Sequence, residues 1–164
     1  MSWHPETRIY NMAITFQLDI VTLDGKVFSE PVQHLRAPGQ EGSFGVLNGH
    51  TPFLTSLQIG VVEVTQENQT RTLAVSGGYI EVMPFCTTIL AETAEFAEDI
   101  DVLRANAAKQ RAEERLKARD DNLDEARARA ALARSLNRLR IAGHCEQGHS
   151  KSIPLNLKPV HQFR

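Results

Sequence analysis

Between Ile14 and Val21 apolar and polar residues alternate, with Ile14, Phe16, Leu18 and Ile20 on one side and Thr15, Gln17 and Asp19 on the other. A period of two is the mark of a strand with one face in a core and one in water. Asp24-Gly25 signals a hairpin turn, and Lys26–Glu30 and Val32–Ala37 read as short strands divided by Pro31. Pro38-Gly39 closes that pair and opens the longest non-periodic stretch, Gly42–Leu57 (GSFGVLNGHTPFLTSL). Its glycines permit positive φ and Pro52 biases Thr51 toward an extended backbone, so the chain turns here in a fixed way and holds His50 and Phe53 in a defined place. Gly60–Gln66 and Arg71–Val75 flank Glu67-Asn68-Gln69-Thr70 as a hairpin. Gly77-Gly78 marks another boundary. Tyr79, Glu81 and Met83 then face opposite Ile80 and Val82, and a last strand follows Pro84 at Cys86–Ala91. Short strands, roughly eight or more, with turn signals between them and no helix predict an antiparallel sandwich or flattened barrel and exclude an α/β fold.

At Glu95–Asp99 the pattern changes. Ile100–Arg119 has no Gly or Pro and is rich in Ala, Lys, Arg and Glu, all good helix formers. Asp99 is the expected cap, with Glu98 and Asp101 at the positive end of the helix dipole. Asp120-Asp121-Asn122 breaks the helix, and Leu123–Ile141 is a second one, ended by Gly143. The large apolar residues of this hairpin are few: Ile100, Leu103 and Leu116, then Leu123, Leu132, Leu136, Leu139 and Ile141; alanine makes up the rest of the stripe. Burying a large aliphatic side chain contributes roughly 1.5–3 kcal/mol, alanine much less, and ordering each residue costs about 1–2 kcal/mol. Such a hairpin is expected to dock on the sandwich or on a partner, with a small free-energy difference between the two.

The 164 residues accommodate one ordinary domain and an appendage, and 41% hydrophobic with 23% charged residues is the composition of a globular protein. No apolar run approaches the ~20 residues of a membrane span, and the N-terminus carries no export or transit signal. Cys86 and Cys145 are expected as reduced thiols. Net charge −2 hides an asymmetry: before Ile100 only Arg8, Lys26, Arg36 and Arg71 are basic against a dozen acidic residues, whereas the hairpin is rich in arginine. An acidic body with a basic appendage suggests an anionic partner for the appendage. Nucleic acid is one class of partner, but Glu113, Glu114, Asp124 and Glu125 interleave the basic residues. A hydrolase lacks its constellation: Ser76-Gly77-Gly78 has no nucleophile-elbow context and His50 no identifiable carboxylate. Residues 1–11 read as a flexible leader, with Met12 an alternative start, and 143–164 as a disordered polar tail. Its His144, Cys145, His149 and His161 match no standard zinc spacing, so no metal site is assigned.

Four segments carry a family resemblance: Gly45–Thr55 (GVLNGHTPFLT), Val75–Val82 (VSGGYIEV), Leu90–Glu95 (LAETAE) and Ile100–Ala105 (IDVLRA). In this order and spacing they resemble the epsilon subunit of F-type ATP synthase, homologous to the mitochondrial delta subunit, over about Met12–Ile141. The resemblance implies a β + α architecture, an N-terminal antiparallel sandwich of about ten strands followed by a two-helix hairpin, here 12–94 and 95–142. It implies a non-catalytic central-stalk subunit that couples proton transport to ATP synthesis and inhibits ATP hydrolysis through its C-terminal helices. The partners it implies are the gamma subunit, the c-ring and a catalytic beta subunit, with membrane association only through the complex, on the cytoplasmic face of a bacterial inner membrane. Glu41, Gly42, Ser43 and His50 match the gamma- and c-ring-facing region. Arg127, Arg134 and Arg138 match the helix that approaches beta, an attraction that salt should weaken. No cofactor is required, but the Ile/Leu-Asp-x-x-Arg-Ala pattern implies a regulatory ATP site at Glu95, Asp101, Arg104, Arg134 and Arg138. Arginine forks suit phosphate oxygens; equally, Asp101 and Arg104 sit at the spacing of an intrahelical ion pair.

Overall fold

Phe16, Leu18 and Ile20, from the apolar side of the first alternating stretch, are within the core, whereas Ile14, expected with them, precedes the strand and is exposed; the opposite side is half-buried. The computed structural model describes residues 14–67, 69–118 and 124–148. Eight strands run in chain order as β1 (Phe16–Thr22), β2 (Gly25–Val32), β3 (His34–Gly39), β4 (Gly42–Val46), β5 (Phe53–Gln66), β6 (Gln69–Val82), β7 (Cys86–Ala91) and β8 (Ala94–Phe96). They hydrogen-bond in the order β2-β1-β7-β6-β5-β3-β4, with β8 added to β6. The described strands number eight rather than about ten: β6, 14 residues long, joins the two expected strands on either side of Gly77-Gly78, and β5, also 14 residues, extends the expected 60–66 strand back to Phe53. The stretch 42–57, expected as non-periodic, thus holds β4 and the start of β5, because cross-strand pairing makes strands where no alternation shows. β6 pairs with β8 through Leu73–Val75 and with β7 through Gly78–Val82, so one strand serves both halves of the sandwich. The change of partner falls at Gly77-Gly78, both at positive φ. Gly78 is required there twice over, since a Cβ would lie 2.0 Å from the Leu90 carbonyl oxygen. Among the described pairings β1 and β7 run parallel and the others antiparallel. Leu18, Ile20, Leu35, Leu73, Ile80 and Ile89 fill the space between the layers.

A short 3-10 turn, Ala97–Asp99, leads into α1 (Val102–Ala118) and α2 (Glu125–Gly148). Three expectations change here. The chain from Ala94 to Phe96 is a strand and Phe96 is core, so the sandwich continues past Ala94 and Glu95 belongs to it. Asp101, not Asp99, caps α1: its Oδ1 accepts the Arg104 N–H at 2.9 Å and its carbonyl the Ala105 N–H at 2.9 Å. α2, capped by Asp124, passes through Gly143 without stopping and takes in His144 and Cys145. The leader, the Asp120-Asp121-Asn122 break, Leu123, and the tail from His149, with His161, lie outside the described residues.

The hairpin is lightly built. Leu103 is 82% exposed and Leu136 45%, while Ala105, Ala112, Ala128 and Ser135 are buried, so small side chains close the seam between the helices. Ser135 satisfies its hydroxyl by donating to the Leu132 carbonyl at 2.8 Å. α2 packs on β5 and β6 through a small second cluster of Ala74, Ile100, Ile141 and Ala142, flanked by Val61 and Ala97.

Candidate functional site

The turn from β7 to β8 is held against the bend of β6. Ser76 N–H donates to the Thr93 carbonyl at 3.1 Å, Glu92 N–H to the Gly77 carbonyl at 3.3 Å, and the Thr93 hydroxyl to Ser76 Oγ at 2.6 Å. That fixes Thr93 Oγ1 and, two residues on, the Glu95 carboxylate beneath the hairpin. Arg138 of α2 reaches both. Its Nε and Nη2 donate to Glu95 Oε1 at 3.2 and 2.8 Å, and Nη2 also donates to Thr93 Oγ1 at 3.2 Å. Arg104 of α1 brings its Nη2 to 3.8 Å from the same carboxylate oxygen. One carboxylate therefore joins the sandwich to both helices. The Arg138–Glu95 contact is charge-assisted and largely screened from water, with side chains 21% and 23% exposed, whereas Arg104 is 70% exposed and its contact is weak. Immediately before Arg138, Asn137 Nδ2 donates to the Gly60 carbonyl at 2.7 Å. Sequence reasoning assigned no such role to Thr93, Ser76 or Asn137, because each acts through a partner distant in the chain: Thr93 with Ser76 and Arg138, and Asn137 with the Gly60 carbonyl.

Of the five residues matched to a nucleotide site, Glu95, Arg104 and Arg138 come together. Asp101 is occupied by capping α1, and Arg134 makes no hydrogen bond or ion pair among the described residues. Arg127, exposed in the first turn of α2, is likewise free of an ion pair there. The first turn of α1 continues into the Asp101-to-Arg104 backbone bond rather than the side-chain ion pair that their spacing also allowed.

A second surface gathers the other predicted residues. Glu41, Gly42 and Ser43 are exposed at the tip of the β3–β4 hairpin, where Gly42 has φ +126. His50 lies near them through an aromatic chain: Phe44 and Phe53 ring centroids are 5.1 Å apart, and those of Phe53 and His50 5.2 Å. His50 Nδ1 is 2.8 Å from the neighbouring Thr51 carbonyl, and the Gly49 N–H donates to the Pro84 carbonyl at 2.8 Å, which ties the loop to the β6–β7 turn. Nearby, an open apolar groove of about 1030 Å³ runs between the outer sheet face and α2, lined by Leu23, Leu57, Ile59, Tyr79, Leu90 and Ala133. Tyr79 and Leu90 face each other across β6 and β7 and are 60% and 55% exposed.

Two family models cover the described fold in succession. ATP synthase, Delta/Epsilon chain, beta-sandwich domain matches residues 15–97, and ATP synthase, Delta/Epsilon chain, long alpha-helix domain matches residues 98–143. An ATP synthase epsilon chain of Syntrophobacter fumaroxidans is 50% identical over 131 residues, which are 80% of this chain and 98% of that one. The chain belongs to the ATP synthase epsilon chain family. A second epsilon chain, from Bacillus velezensis, is 46% identical over 130 residues, 79% of this chain and 98% of its own. A chain in the cryo-EM structure of the Euglena gracilis mitochondrial ATP synthase shares the fold, with a TM-score of 0.59 and 22% identity over 90% of this chain and 89% of that one. The epsilon-family boundary at 97/98 falls in the 3-10 turn, after the strand that carries Glu95. Membership favours the stalk reading over the nucleic-acid module. Among the described residues no helix is long and apolar enough to cross a membrane.

Proposed function

We propose that this epsilon-family chain is a non-catalytic subunit of the rotor, which couples proton translocation to ATP synthesis and restrains ATP hydrolysis when its helical hairpin leaves the sandwich. The observation that carries the reading is the nature of the junction. A small alanine- and isoleucine-lined contact and one part-buried Arg138–Glu95 pair hold the hairpin down, so docked and released forms lie within reach of each other. Release frees Arg138, which then joins Arg127 and Arg134 as a cationic face for the acidic surface of a beta subunit. In the docked form that face is incomplete, because Arg138 is spent on Glu95.

The sandwich serves the stalk. Its apolar groove suits a helix of the gamma subunit, and the exposed Glu41-Gly42-Ser43 tip, with His50 behind it, faces gamma and the c-ring. The chain associates with the membrane only through the complex, on the cytoplasmic face of a bacterial inner membrane. ATP is the regulatory ligand of the docked form in this reading: its phosphates would draw Arg104 and Arg138, with Arg134, unpaired among the described residues, one turn before Arg138, and the ligand would tie α1 to α2. Asp101 contributes to that site by fixing the first turn of α1.

The test is recovery of partners by the tagged full-length chain from detergent-solubilised membranes of its own source, with ATPase measured before and after the bait is detached. Co-elution of gamma and c subunits, with hydrolysis rising on detachment, is expected. An eluate without those subunits would overturn the stalk assignment; co-elution at an unchanged rate would remove the inhibitory role.

A further inference from the structure

One end of the sandwich is apolar and uncovered. Ile14 is 74% exposed, Leu47 60%, Leu54 70%, Met83 43% and Phe85 74%. Three hydrogen bonds to backbone carbonyls gather these residues at that end. Asn48 Nδ2 donates to the Thr15 carbonyl at 2.5 Å, joining the 47–50 turn to the start of β1. Gly49 N–H donates to the Pro84 carbonyl at 2.8 Å and Gln17 N–H to the Phe85 carbonyl at 3.0 Å, joining both to the β6–β7 turn. Leu54 lies opposite Glu81, two residues before Met83, on the same outward side. Single exposed apolar side chains are ordinary, but a cluster contributed by four segments marks a contact surface.

We propose that the segment before Ile14, residues 1–13, made up of the 1–11 leader with Met12 and Ala13, covers this surface. The chain enters the patch at Ile14 itself, so the segment is tethered there and its local concentration at the patch is high. Extended, its 13 residues reach at most about 3.3–3.6 Å each, enough to cross the end of a small sandwich and return. Its composition fits: Trp3, Ile9, Tyr10 and Met12 supply four large apolar or amphipathic side chains for the five exposed ones. The segment lies outside the matched fold, since the sandwich family model begins at residue 15. Seated here, it would shield an apolar end that would otherwise meet another surface.

Trp3 is the chain's single tryptophan, so its emission reports the leader without labelling. The full-length chain, dilute and alone, is compared with Leu47→Ser/Phe85→Ser; both positions are exposed, so the fold should tolerate the change, with circular dichroism as the check. Blue-shifted emission and several-fold weaker acrylamide quenching in the parent, lost in the double variant, are expected. A chain starting at Met12 should then exchange amide hydrogens faster at 47–54 and 83–86. Solvent-like Trp3 emission in both chains would overturn the proposal. Protection that grows with protein concentration would assign the patch to a second copy, and protection seen only in the assembled complex would assign it to a stalk partner; either overturns it too.

Discussion

Replacing Glu95 with Gln removes the charge at the junction and leaves one acceptor, so it isolates the ionic part of the latch. Two Arg138 nitrogens, at 2.8 and 3.2 Å, and the more distant Arg104 lose their counter-charge together. A hydrogen bond to a charged group is worth about 1.5–3 kcal/mol, an exposed ion pair about 0–1 kcal/mol, and the pair here is one-fifth exposed, so the expected loss is about 1–2 kcal/mol. At about 1.4 kcal/mol per decade, the docked-to-released ratio should fall roughly 5- to 30-fold. The assay is pulsed EPR between spin labels on α2 and on the outer face of β5, repeated for Arg138→Gln and for the double variant. The two single changes should be strongly non-additive, with a coupling of about 1 kcal/mol or more, because they break the same contact. Additive effects, or an unchanged distance distribution in Glu95→Gln, would refute the latch.

Other outcomes follow from local geometry. Gly78→Ala combines a positive φ with a Cβ 2.0 Å from the Leu90 carbonyl, so urea unfolding should show a loss of about 3 kcal/mol or more. Asp101→Ala should cost about 0.5–2 kcal/mol as α1 loses its cap, and Asp101→Asn should recover most of it; if Asn is as damaging as Ala, the charge rather than the cap is what matters. Asp19 is held below its usual 3.8 by the Ser29 hydrogen bond, with burial opposing and Lys26 adding to the shift. Its folded form therefore binds a proton less readily than the unfolded chain, and its contribution is present above pH 3.8 and lost as pH falls through the lower folded value. Denaturation midpoints should show that loss in the parent and a flatter acid limb in Asp19→Asn.

How much was legible varied with the range of the interactions involved. Alternation placed Phe16, Leu18 and Ile20 inside and Tyr79 outside, and β7 falls on the expected Cys86–Ala91, because a half-buried strand writes its burial directly into residue order. β8 was missed because three residues, Ala-Glu-Phe, are too short to show a period, and only pairing with Leu73–Val75 makes them a strand. Gly77-Gly78 was read as a break; it is a bend inside one long strand, since backbone pairing on either side outweighs the flexibility. In the same way Gly143 does not stop α2, because the Ile141-Ala142 contact just before it buries the helix on the sandwich. The sequence showed an apolar stripe poor in large residues and filled out with alanine, and Ala105, Ala112 and Ala128 are indeed buried; that Ser135 joins them while Leu103 and Leu136 are exposed was not legible, because it depends on which side chains the close helix approach admits. Glu95, Arg104 and Arg138 are legible by family resemblance, but the convergence of both arginines on one carboxylate oxygen, Arg138 closely and Arg104 at 3.8 Å, arises only from the folding of the hairpin onto the sandwich. Arg71 adds a tie invisible in sequence: it stands 3.7 Å over the Phe96 ring and pairs with Glu98 at 2.9 Å, clamping the chain just before the hairpin begins.

That clamp decides where the hairpin should be cut. Truncation after Ala94 would take Phe96 from the core, whereas truncation after Asp99 leaves β8 and the Arg71–Glu98 pair intact. The most direct measurement is therefore the ATPase rate of the ATP synthase reconstituted with the full chain or with the chain ending at Asp99. The account predicts that the shortened chain still co-purifies with the gamma subunit and that hydrolysis is faster in its complex. A shortened chain that folds but no longer binds gamma, or one that binds and leaves the rate unchanged, would contradict the division of labour between sandwich and hairpin.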